Sequence, residues 1–99
     1  MANSRGGLDD RRLDRLTNET VELLQTLIRN RCVNDGSAES GQEVRNADVL
    51  QQVIEGAGVD VERFDAAPGR TSIVARIEGS DPAAPSLCLM GHTDVCLLY

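Results

Sequence analysis

Leu87-Cys88-Leu89-Met90-Gly91-His92-Thr93-Asp94-Val95 carries four apolar residues straight into a glycine and then into the chain's single histidine. An uninterrupted apolar run of that length has the composition of a strand buried on both faces. His92 and Asp94 are therefore expected at the C-terminal end of a strand, where open α/β sheets gather their chemistry. Residues two apart on an extended chain share a side, so the Asp94 carboxylate is expected to approach and orient the imidazole of His92. A metal ligand with a supporting partner requires that arrangement.

Upstream of this run the hydrophobic period reports two helices and two further strands. Leu13, Leu16, Thr20, Leu23, Leu24, Leu27 and Ile28 recur at steps of three and four, which predicts a helix from about Asp9 to Arg31 with one apolar face. Asp9 and Asp10 suit the positive end of its dipole, and Arg29 and Arg31 the negative end. Val33 to Glu39, with Asn34, Asp35, Gly36 and Ser37, reads as a loop. Ser40 and Glu43 have capping-box spacing ahead of Val44, Ala47, Leu50, Val53, Ile54 and Ala57, and Gly58 is placed to end that second helix in a left-handed conformation. Val59 and Val61 then alternate with Asp60 and Glu62, Pro68-Gly69 turns the chain, and Ser72 to Ile77 forms a second strand. No crossover helix separates the strands, so they are expected to run antiparallel. The class is α/β: two N-terminal helices followed by a three-stranded, mainly antiparallel meander whose third strand is the Leu87–Met90 run.

Ninety-nine residues with 40% hydrophobic and 26% charged side chains fit one small domain with a modest core. A net charge of −6 opposes the basic footprint that nucleic acid attracts. All ten basic residues are arginines, and Arg11, Arg12 and Arg15 are interleaved with Asp9, Asp10 and Asp14, as on a solvated surface. The first residues lack the apolar stretch of a signal peptide, and no segment is apolar for long enough to span a bilayer, so the expected location is cytoplasmic, without a membrane partner. Cys32, Cys88 and Cys96 show no Cys-x-x-Cys spacing and read as reduced, mostly structural thiols.

His-x-Asp alone is a weak signal, and a histidine hydrogen-bonded to a nearby carboxylate often does no chemistry. Cys96, four residues from His92 on an extended chain, lies too far away to form a nucleophile and base pair with it. Glu22 and Glu43 read as helix-surface and capping residues rather than acid/base groups. The order of features adds context: the leucine-rich helix, Ser40-Gly41-Gln42-Glu43, Gly58-Val59, Arg70 through Ile77 with Gly79, and then Gly91-His92-Thr93-Asp94-Val95. From about residue 10 to residue 95 this resembles the N-terminal part of the aminoacylase, carboxypeptidase G and acetylornithine deacetylase family of metallopeptidases.

The resemblance implies that His92 is a ligand of one of two catalytic metals, usually zinc, and that Asp94 accepts the other N–H of the imidazole, fixing its tautomer. It implies hydrolysis of amide bonds in N-acyl amino acids or small peptides, with the metals activating water and polarising the carbonyl. The family's bridging aspartate, general-base glutamate and remaining ligands follow the His-x-Asp motif and have no counterpart here. After Val95, family members continue with valine and proline, whereas this chain has Cys96-Leu97-Leu98-Tyr99. The expected organisation is thus a flexible stretch at 1–8, an incomplete N-terminal portion of a larger mixed-sheet α/β/α metallopeptidase domain at 9–95, and a divergent tail at 96–99. Such a chain, truncated, frame-shifted or a fragmentary gene product, is expected to be inactive alone. A different class is also open: a non-catalytic interaction module or homo-oligomer that uses an unpaired sheet edge.

Overall fold

A computed structural model describes residues 9–96, so the expectations for 1–8 and 97–99 lie outside the described residues. The chain is α/β, with two helices, one antiparallel strand pair and one parallel pair. Helix α1 (Asp10–Arg29) follows Asp9, whose carboxylate accepts a hydrogen bond from the Arg12 N–H at 2.9 Å. It stops where the Asn30 N–H reaches back to the carbonyls of Thr26 and Leu27 and Arg31 turns left-handed at φ 52°. Helix α2 (Val44–Ile54), strand β2 (Val59–Ala67) and strand β3 (Arg70–Ile77) form the body. β2 and β3 pair in register from Val59↔Ile77 to Ala67↔Arg70, with an irregularity between Asp65 and Ala67. Gly69, at φ 75°, supplies the positive φ that a Pro-Gly turn asks of its second residue.

The expected capping box is not formed. Glu43 occupies the N-cap position, but its side chain caps nothing. The Ser40 hydroxyl instead donates to the Ser37 carbonyl at 2.8 Å and accepts from the Asp35 N–H at 3.1 Å. The Glu43 carboxylate has a stronger partner in the Arg70 guanidinium. One of the unsatisfied amides of the first turn is met from the hairpin, with the Val44 N–H donating to the Gly69 carbonyl at 3.1 Å. Gly58 is left-handed at φ 81°, yet α2 has already ended with Glu55 as its C-cap, and the glycine serves the turn between Gly56 and Val59 instead.

The third strand of the meander is absent at Leu87–Met90. Leu87, Leu89 and Met90 are 85 to 95% exposed, and Cys88, expected inside a buried run, is exposed too. A strand that is apolar on both faces needs neighbours at both edges and cover on both sides, and no described strand flanks this one. Its continuation pairs elsewhere. Val95–Cys96 (β4) runs parallel to Val33–Asn34 (β1), a pair of residues expected in a loop. The junction is made by the Val95 N–H donating to the Cys32 carbonyl at 2.8 Å, while the Gly41 N–H donates to Val33 on the same strand at 2.9 Å.

Little apolar surface is sequestered. Cys32 and Ala47 are the buried apolar side chains among the described residues, and Glu43, Asn46 and Thr71 are buried beside them. Of the apolar stripe on α1, Leu23 and Leu27 are half-buried, while every residue from Asp10 to Thr20 is exposed. The radius of gyration is 16.8 Å, against about 13 Å for a compact chain of this length. The interior at the start of α2 is therefore as much polar as apolar. Asn46 links three segments there: its carbonyl accepts from the Asn30 amide at 2.9 Å, and its own amide donates to the Thr93 carbonyl at 2.9 Å. Asn46→Ala is expected to lower unfolding free energy by about 2 kcal/mol, because it takes the side-chain donor from the Thr93 carbonyl and leaves the Asn30 amide only its longer bond to the Arg45 carbonyl. Urea titration followed by circular dichroism measures the loss.

Candidate functional site

Gly91 to Asp94 passes along the end of a cleft of about 740 Å³ between α2 and the β2–β3 hairpin, whose lining includes Glu43, Ala47, Arg70 and Thr71 together with His92 and Asp94. The motif precedes a short parallel strand instead of closing a long buried one, so its position owes little to strand geometry. Three cross-chain hydrogen bonds fix it. Asn46 holds the Thr93 carbonyl, Cys32 holds the Val95 N–H, and the Asn34 side-chain amide donates to Asp94 Oδ2 at 2.9 Å.

The expected approach of Asp94 to the imidazole is present. His92 Nδ1 lies 3.0 Å from Asp94 Oδ1 and 2.8 Å from the Asp94 backbone carbonyl. Both neighbours are acceptors, so Nδ1 carries the proton of the neutral ring and Nε2 carries the lone pair. The His92 side chain is 78% exposed and that of Asp94 is 23% exposed. The Asn34 amide bond holds the Asp94 carboxyl below the ordinary carboxylate range; burial opposes this, and the His92 contact assists.

Arg70 meets Glu43 through two nitrogens, Nε to Oε2 at 2.7 Å and Nη2 to Oε1 at 2.8 Å, and Nη1 donates to the Ser37 carbonyl at 3.2 Å. The guanidinium bonds hold Glu43 below its usual range against desolvation and the nearby negative charge of Asp94. Gly41 makes room for the pair. A Cβ there would run into the Glu43 carboxylate and Arg70 Nε, and φ is 79°. Glu43 is thus committed to an ion pair, in line with the expectation that it is no acid/base group.

Sequence reasoning passed over Asn34, Asn46 and Arg70. Asn46 had a signal, being a polar residue one step from Ala47 on the inward stripe of α2; Asn34, a loop-forming residue among others of its kind, had none. Cys96 is exposed in β4 and has no place in the cleft lining. No family model, curated protein or solved structure matches the chain.

A catalytic zinc takes three protein ligands and keeps one position open. One imidazole with a set tautomer and an orienting carboxylate fits a single ligand position. Among the described residues no three His, Cys, Asp or Glu side chains are gathered to hold an ion. The described residues therefore do not fit a complete metal centre.

Glu43 and Asp94 both have folded-state pKa values depressed below their unfolded ones, so the stability they contribute is full at neutral pH and is lost as pH falls through the carboxylate range. Unfolding free energy is expected to hold to about pH 5 and decline below it. Glu43→Gln should flatten that decline while lowering stability at pH 7, as read by chemical denaturation at several pH values.

Proposed function

We propose that this chain is the motif-bearing portion of a metal-dependent hydrolase of amide bonds in N-acyl amino acids or small peptides, with His92 as a zinc ligand and Asp94 as its orienting partner. The observation that carries the reading is the pair of acceptors on His92 Nδ1, which leaves Nε2 to bind a metal. The resemblance of 10–95 to the aminoacylase and carboxypeptidase family supports the substrate class and the two-zinc chemistry. With one ligand among the described residues, the chain alone is proposed to be catalytically silent. A net charge of −6 supports a small-molecule substrate over nucleic acid. Among the described residues no helix is long and apolar enough to cross a membrane, and a cytoplasmic location is part of the proposal.

Zinc titration of the isotopically labelled chain tests the reading. Weak binding centred on the His92 ring, abolished in His92→Ala and accompanied by no turnover of N-acyl amino acids, is expected. Perturbation elsewhere that spares His92 overturns the ligand assignment, and tight stoichiometric zinc with turnover overturns the claim of inactivity.

A second reading, an interaction module that pairs with another copy of itself, is favoured by exposed surface. The accessible area is 8489 Å², about 3,000 Å² more than a compact monomer of 10.7 kDa presents. Obligate dimers bury about 1,000 to 2,500 Å² on each copy, which this excess exceeds. Leu16, Leu24 and Ile28 on α1 and Phe64 and Val74 on the hairpin, each at least half exposed, are the apolar groups such a dimer has to cover. Light scattering during gel filtration should show a discrete dimer that dissociates in Leu16→Glu/Leu24→Glu. A stable monomer overturns this second reading, and so does open-ended aggregation.

A further inference from the structure

We propose that Asn34 is a positioning residue that, through Asp94, locks the tautomer and direction of the His92 imidazole. The inference rests on the reading of His92 as a group that works through Nε2, and it names what holds that group in place. With 78% of its side chain in solvent, the ring has its direction set by what Nδ1 meets, the Asp94 carbonyl and Oδ1. The carbonyl is fixed, because the main chain on either side is held at Thr93 by Asn46 and at Val95 by Cys32. The carboxylate is not fixed by its backbone. Its terminal torsion is broad and twofold, and an exposed imidazole is a poor anchor for it.

Asn34 supplies that anchor. Its Nδ2 donates to Asp94 Oδ2 at 2.9 Å, so the two carboxylate oxygens are divided, one for the asparagine and one for the histidine. The amide cannot be turned the other way round without loss. Asn34 Oδ1 accepts the Gly36 N–H at 2.9 Å, which places Nδ2 toward Asp94. Asn34 itself is tied down in β1, where it stands opposite Cys96. A residue 60 positions upstream in the sequence thereby holds the second of the two acceptors that keep the proton on Nδ1.

The chain's single histidine makes the test direct, since one ring contributes all imidazole signals. Long-range proton–nitrogen correlation spectra of the full chain at about pH 8.5, well above the ordinary histidine pKa, are expected to show the Nδ1–H tautomer in excess. In Asn34→Ala the ratio should move toward Nε2–H by about fivefold, the effect of one lost hydrogen bond of ordinary strength. Asn34→Ser keeps an oxygen that can accept the Gly36 N–H but is too short to reach Asp94, so it should show the same shift. The β2–β3 amide signals should stay dispersed in both variants. An unchanged tautomer ratio in either folded variant overturns the proposal, and collapse of the hairpin signals in both makes Asn34 a structural residue and overturns it equally. No metal enters this measurement. A tautomer shift without zinc binding at His92 would fault the ligand reading and leave the positioning role standing; zinc binding without a tautomer shift would do the reverse.

Discussion

Arg70 grips Glu43 through Nε and Nη2 and reaches on to the Ser37 carbonyl, and this one guanidinium ties the start of α2, the start of β3 and the preceding loop together. The pair is largely shielded, with 19% of the arginine and 9% of the glutamate side chain exposed. A buried ion pair returns little net stability against an apolar alternative, but loss of either member leaves an uncompensated charge. Its value here is directional. A planar fork fits a carboxylate in few orientations, so it fixes how α2 lies against the hairpin in a way that scattered apolar contacts cannot. Gly41 is required beside it because any larger residue meets the pair.

Once α2 is placed, Asn46 is placed, and with it the backbone of the His92 segment. Among the described residues the interior is a set of directional polar contacts around two small apolar residues, Cys32 and Ala47. That composition explains why a motif on irregular backbone holds a defined geometry while Leu87, Leu89 and Met90, a few residues earlier, remain in solvent. Hydrogen-bond partners were at hand: amide donors for Thr93 and Asp94, and the Cys32 carbonyl as acceptor for Val95. Apolar cover for the preceding run was not.

Much of the secondary structure was legible in the sequence because it depends on local rules. The three-and-four spacing of leucines marked α1 to within two residues at its C-terminal end and one at its start, where Asp9 proved to be the cap, and the alternation around Pro68-Gly69 marked the hairpin and its turn. The closeness of His92 and Asp94 was legible for the same reason, since two residues in one extended segment have few ways to avoid each other. The rules failed where a residue had a choice of partners. Glu43 had capping-box spacing to Ser40 but took Arg70, 27 residues away, because a guanidinium offers charge and two donors where the Ser40 backbone N–H offers one neutral donor. Gly58 satisfied the left-handed requirement of a turn rather than of a helix end.

The sequence by itself determined the two helices, the antiparallel hairpin, the acidic character of the chain and the pairing of His92 with Asp94, since periodicity, turn chemistry and net charge act over short distances or over the whole composition. Tertiary structure alone decided that Val33–Asn34 is a strand, that Leu87–Met90 is not, and that Asn34 and Asn46 hold the motif. A strand exists only if another strand accepts its hydrogen bonds, and an asparagine amide carries no pattern that names its partner. Both depend on what lies across space, which the order of residues along the chain does not state.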